Sequence, residues 1–362
     1  MAELAVGGGG HSGEGEVAQM RGVVLLGDGE LEVRSFPDPE PGYGEVLVQM
    51  KASGICGSDL WPLRMSRSER GDPAKLNISG HEPCGVVAEL GEGVAEVAVG
   101  KRVIVHHYSG CGRCKYCRIG YPQLCVHGHK VYGFTADGGH ADFMVVPAHM
   151  CLDLPQGMSF EEGAAIACGT GTAYAALKRL AVSGRDTLVV FGQGPVGLSA
   201  TLLGSAMGAR VIAIDLVPYR LKLAKRLGAA EAFNASDGDP VEAVRDLTKG
   251  EGAEATMDCT GVPEVRVQAI ESTKVFGRTC LVGEHGGMAL QDVSRQVIHK
   301  HLTVYGSWTF STALLEEAAN WVVESGIPLK RLITHRFSIR EAGEAFAAFQ
   351  SGETGKVVFV WP

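Results

Sequence analysis

Three things are missing from this chain of 362 residues, and each absence excludes a class of protein. No uninterrupted apolar run is long enough to span a bilayer, so a helical membrane protein is not expected. There is no basic excess. With 33 Lys and Arg against 41 Asp and Glu, the formal net charge is −8, and the basic face needed for nonspecific nucleic-acid binding is not expected. The N-terminal stretch "MAELAVGGGGHSGEGEV" has no charged segment followed by a hydrophobic one, so it does not read as a secretory signal. Its glycines predict a flexible tail over residues 1–17. Beyond them there is no low-complexity segment and no internal repeat. The expected compartment is then the cytoplasm, where thiols stay reduced.

What is present is the composition of a water-soluble globular protein, with 45% hydrophobic and 20% charged residues. The length exceeds one ordinary core and predicts two domains. Four of the ten cysteines fall in "GCGRCKYCRIGYPQLCV", at Cys111, Cys114, Cys117 and Cys125, with gaps of two, two and seven residues. Disulfides suit an oxidising compartment. The bacterial iron–sulfur pattern has a three-residue last gap and a Cys-Pro end, neither of which occurs here. Tetrahedral zinc fits the short gaps, and four protein ligands would leave no open position, so this zinc would be structural. His127 and His129 read as loop residues.

From about Arg21 to Pro155, short β-type runs cut by glycine predict an irregular barrel or sandwich. "SFEEGAAIACGTGTAYAALKRL" then reads as helix, with a serine cap and two early acids. In "DTLVVFGQGPVGLSATLLGSAMGARVIAID" the order is strand, glycine turn, helix, strand: a βαβ unit with a buried parallel sheet. Gly192, Gly194 and Gly197 form a G-x-G-x-x-G pattern directly after an apolar strand, where the helix N-terminus would receive a pyrophosphate. Asp215 ends the next strand, where an acid binds the adenosine ribose and disfavours a 2′-phosphate. That predicts NAD over NADP. Asp215 also suits a helix cap, and Arg220 is a cation close enough to receive a 2′-phosphate, so both alternatives stay open.

Two further segments, "GICGSDLW" and "ISGHEPCG", offer Cys56, His81 and Glu82, while Cys168 lies where the two patterns join. A catalytic zinc needs three protein ligands and one open position. Spacing alone does not show that these residues converge.

With "CGSD", "GHE", the four-cysteine segment and "GQGPVG" with Asp215 in this order, the chain resembles the zinc-dependent alcohol dehydrogenases of the medium-chain dehydrogenase/reductase superfamily, over nearly everything after Met20. The resemblance implies an α/β architecture with a GroES-like β-barrel catalytic domain over residues 18–167, a Rossmann NAD-binding domain over 168–305, and a return to the catalytic domain over 306–362. It implies two zincs per chain, one catalytic and one structural. Cys56, His81 and Cys168 would hold the catalytic one, with Glu82 an alternative ligand. Asp59 would orient His81 and Ser58 would pass on the alcohol proton. Thr172 and Val196 would contact the nicotinamide, and Lys356 would meet the pyrophosphate. The implied reaction moves a hydride reversibly between a zinc-held secondary alcohol, polyol or sugar-like substrate and NAD. An NADP-linked aldehyde reductase and a catalytically silent relative are the alternatives. The implied assembly is a homodimer or homotetramer.

The chain departs from the pattern twice: Trp61 stands where many relatives have the last relay histidine, and Gly57 where many have a phosphate-binding arginine. Cys84, Cys151, Cys259 and Cys280 read as core. His106, His107 and Tyr108 read as packing residues, and Trp308 as core or pocket wall. His140 has no evident partner.

Overall fold

The computed structural model describes residues 19–284 and 286–362; the tail expected over residues 1–17 lies outside them. Two sheets organise the rest. Six parallel strands run in the order Glu231–Asn234, Arg210–Asp215, Thr187–Phe191, Ala253–Asp258, Thr273–Leu281, Thr303–Gly306. In chain order this is 3-2-1-4-5-6, the doubly wound arrangement, and it reverses beside Thr187–Phe191, where such sheets take their ligands. The interior of that strand is apolar and fully buried (Leu188, Val189, Val190) because helices cover both faces.

The second sheet has seven strands, running Ile333–Phe337, Lys356–Val360, Glu45–Ile55, Pro83–Leu90, Arg102–Val105, Cys151–Asp153, with Phe143–Pro147 also paired to Glu45–Ile55. The C-terminal strand returns antiparallel to Glu45–Ile55, placing Val357 opposite Ile55. That pairing brings Lys356 next to the segment that carries Cys56.

The helix expected after Ser159 is broken in one place. Ser159 caps it, accepting from the Glu162 N–H while the Glu162 carboxylate accepts from the Ser159 N–H. Helix Phe160–Ala165 then opens into a π-helical turn, Ile166–Thr170, before helix Gly171–Arg179 resumes. Cys168 occupies that wider turn. Turns of this kind cluster at functional sites because the extra residue swings a side chain off the regular helical spiral.

Candidate active site and metal centres

Residues from three separate elements meet in one buried cluster. Cys56 follows strand Glu45–Ile55, His81 and Glu82 precede strand Pro83–Leu90, and Cys168 comes from the π turn. One donor atom from each lies within 4.8 Å of the others. Asp59 organises the set. Its Oδ1 stands 3.0 Å from His81 Nδ1 and its Oδ2 accepts from the Cys56 N–H at 2.8 Å. A carboxylate in this pair accepts, so Nδ1 carries the proton and Nε2 is free to coordinate. Cys56 and Cys168 Sγ are 4.0 Å apart, and Ser58 Oγ sits 3.4 Å from Cys56 Sγ and 3.3 Å from His81 Nε2. The hydrogen bond with Cys168, aided by His81, draws Cys56 well below the ordinary thiol range against the effect of burial, while Cys168 moves the other way. Burial lowers the His81 pKa, yet the Asp59 charge and hydrogen bond outweigh it and raise it overall. Two thiols, one imidazole with a free Nε2 and an adjacent carboxylate form a donor set suited to zinc.

For Glu82 and Lys356 the structure shows something the sequence did not. Lys356, expected at a pyrophosphate, is completely buried, with Nζ 2.6 and 2.5 Å from the two Glu82 oxygens and 3.1 Å from the Ile55 carbonyl. A carboxylate taken out of water beside two thiols needs a counter-charge, and this lysine supplies it. Burial nonetheless pushes Glu82 up to about 7, with Lys356 opposing.

The second cysteine set, Cys111, Cys114, Cys117 and Cys125, also has its sulfurs within 4.8 Å of one another. The backbone N–H groups of Cys117 and Val126 draw Cys114 down to about 6, favouring the thiolate a metal needs. This lobe docks on the segment after strand Thr303–Gly306, where the Thr312 N–H donates to the Gly120 carbonyl and Gln123 donates to that of Phe310.

At the glycine turn, Gly192 has φ +84°, a conformation L side chains seldom adopt. A Cβ on Gly197 would stand 1.7 Å from the Gly192 carbonyl oxygen, so only glycine permits this packing. A Cβ on Gly194 would meet nothing within 4 Å, which leaves open space in front of helix Pro195–Ala206 for a phosphate. Asp215 joins this turn. Its Oδ2 accepts from the Gln193 N–H at 2.5 Å and its Oδ1 from the Leu216 and Val217 N–H groups. Because Val217 is the N-cap of the following helix, Asp215 is a loop brace and not its cap. Arg220 lies beside Gly352, with its Nε buried and unbonded among the described residues. Val196 is the second residue of helix Pro195–Ala206, and Thr172 is buried on helix Gly171–Arg179.

Next to the metal set lies an aromatic wall that sequence reading assigned to packing. The His107 ring is 5.2 Å from that of His81 and 4.5 Å from Tyr108, and Tyr108 reaches Trp308 at 5.7 Å and His129 at 5.4 Å. His107 Nδ1 is 3.1 Å from the Ala167 carbonyl. A carbonyl only accepts, so Nδ1 carries the proton and Nε2 offers a lone pair. That lone pair and the Tyr108 hydroxyl are the polar groups of this aromatic wall. Burial, then the Cys168 and Glu284 charges, push the Tyr108 hydroxyl up. His140, without a partner in the sequence reading, has one here: Ser53 Oγ at 2.7 Å.

Comparison with known proteins accords with this geometry. Residues 42–156 match the alcohol dehydrogenase GroES-like domain, and residues 195–324 match the zinc-binding dehydrogenase family. The chain is 38% identical over 351 residues to the uncharacterized zinc-type alcohol dehydrogenase-like protein YphC of Escherichia coli K12, covering 95% of this chain and 99% of that one. It is 33% identical to a sorbitol dehydrogenase of Halalkalibacterium halodurans, covering 92% and 96%. The rspB alcohol dehydrogenase of E. coli CFT073, solved with NADH, superimposes with a TM-score of 0.85 at 27% identity, covering 95% of this chain and 99% of that one. The chain belongs to the zinc-dependent alcohol dehydrogenases of the medium-chain dehydrogenase/reductase superfamily.

Proposed function

We propose that this oxidoreductase oxidises one hydroxyl of a polyhydroxylated or sugar-like molecule with NAD⁺, giving a ketone or aldehyde, NADH and a proton. The observation that carries the substrate class is the pair of polar groups beside the metal set, the His107 Nε2 lone pair and the Tyr108 hydroxyl. Both are polar sites next to the reacting position that a simple apolar alcohol would leave unmatched, at a cost. Trp308, 40% exposed, offers an aromatic face beside them. The likeness to a sorbitol dehydrogenase points the same way.

When bound, zinc supplies Lewis acidity that lowers a hydroxyl's pKa, and NAD⁺ accepts the hydride. Cys56, His81 and Cys168 would hold that zinc, with Glu82 kept in reserve by Lys356. Asp59 fixes the proton on His81 Nδ1, which would leave Nε2 free to hold the metal. Ser58 Oγ, beside both Cys56 Sγ and His81 Nε2, takes the alcohol proton as it releases its own toward solvent. Gly192, Gly194 and Gly197 shape the phosphate seat, with Asp215 bracing it; an acid there would also bind the adenosine ribose, which favours NAD over NADP. Thr172 and Val196 would contact the nicotinamide, and Arg220 would stand toward the adenosine end.

The same reading assigns 18–167 with 306–362 to the catalytic domain and 168–305 to the nucleotide domain. All ten cysteines are free, which suits a cytoplasmic protein, and no helix among the described residues is long and apolar enough to cross a membrane. A homodimer or homotetramer is proposed through the edge strand Thr303–Gly306, which carries the exposed Val304, near the exposed Phe276 and Ile298. NADH formation across simple secondary alcohols, vicinal diols, polyols and β-hydroxy amino acids tests the substrate class. Diols and polyols should give the highest kcat/KM. A simple alcohol turned over as well as its matching diol would refute the class.

A further inference from the structure

Two buried hydroxyls connect the turn that carries Cys168 to the helix that faces the cofactor. Thr170 Oγ1 lies 2.9 Å from Ser199 Oγ, and Ser199 Oγ donates to the Pro195 carbonyl at 2.7 Å; both side chains are completely buried. A hydroxyl has one proton. Ser199 gives its proton to Pro195, so it must accept from Thr170. The result is a directed chain, from Thr170 through Ser199 to the Pro195 carbonyl. One end is two residues from a metal thiol, in the π turn Ile166–Thr170; the other is the first residue of helix Pro195–Ala206. Gly169 closes the same contact. A Cβ there would lie 3.6 Å from Pro195 Cβ and 3.8 Å from Lys356 Nζ.

The π turn keeps a backbone ladder of its own, closed by the Gly171 N–H on the Ile166 carbonyl, and its side-chain contact through Thr170 leads directly to the phosphate seat. We propose that Thr170 and Ser199 are positioning residues that couple cofactor binding to metal binding, so that each ligand tightens the hold on the other. The inference rests on the dehydrogenase reading and adds a coupling that the metal and nucleotide sites would not have as independent units. Such coupling is reciprocal.

A double-mutant cycle on NADH affinity tests it, read by the nucleotide's fluorescence with zinc counted in every sample. Cys168→Ser removes a metal donor. In the otherwise unchanged chain it should weaken NADH binding about tenfold. In the Ser199→Ala or Thr170→Val background the same change should weaken it less than about twofold, because the link is already cut. Thr170→Ser keeps the hydroxyl and should restore the full effect, which separates the hydrogen bond from a general loss of packing; thermal melts show that each variant is folded. An equal effect of Cys168→Ser in all backgrounds, or none in the unchanged chain, overturns the coupling. Failure of the unchanged, zinc-replete protein to bind NADH would instead overturn the nucleotide reading beneath it.

Discussion

At the scale of single residues, the account depends on where protons sit. Ser58→Ala removes the group placed to take the alcohol proton and should lower kcat about 100-fold, most strongly at low pH where free hydroxide is scarce; undiminished turnover across the pH range would remove Ser58 from the path. Lys356→Met leaves the buried Glu82 without its partner and should destabilise the fold by about 3–5 kcal/mol, read as a shift of the urea midpoint. His106 and His140 are held down to about 4, chiefly by burial. As pH falls below the ordinary histidine value of about 6.5, the unfolded chain binds their protons first, so stability is full above about 6.5, declines toward 4 and levels off there. Each contributes on the order of 3 kcal/mol across that window. A urea midpoint that does not fall between neutral and acidic pH would contradict this. The candidate ligand residues were legible in the sequence because short motifs carry most of them. His107 and Tyr108 were not, because what defines them, the Ala167 carbonyl and the Trp308 ring, comes from distant parts of the chain.

At the scale of elements, the glycine turn separates two effects that a motif merges. Gly197→Ala places a methyl group into the Gly192 carbonyl and should lower both melting temperature and NADH affinity. Gly194→Ala meets no protein atom, so the melting temperature should hold while NADH binding weakens about tenfold, since the methyl lies in the space left for phosphate. Equal effects of both changes on melting would contradict the assignment of Gly194 to the ligand. The strand–turn–helix around these glycines was readable from apolar runs and spacing. The π turn at Cys168 was not, since it lies inside a longer helical pattern and nothing local signals the extra residue. The Lys356–Glu82 pair was hidden for a related reason: the charge was visible, but the strand pairing that buries it against Glu82 joins positions far apart.

At the scale of the whole molecule, two sheets and their order followed from the change of texture after Ser159, while the seam between them had to be seen. At that seam, Cys168, Glu82, Lys356 and the Thr170–Ser199 link meet the glycine-turn helix. The exposed edge strand Thr303–Gly306 predicts self-association, and Val304→Lys should lower the mass measured in solution by light scattering; an unchanged mass would place the interface elsewhere. The central claim is that the Cys56–His81–Cys168 cluster holds the zinc that makes this an alcohol dehydrogenase and that the four-cysteine lobe does no chemistry. It is tested most directly by counting zinc and following NADH formation on a vicinal diol in the same samples of the unchanged protein and Cys168→Ser. The account predicts two zincs per chain with turnover in the first, matching its two donor clusters, and one zinc without turnover in the second. Turnover that survives Cys168→Ser, or one zinc in the unchanged protein, would contradict it.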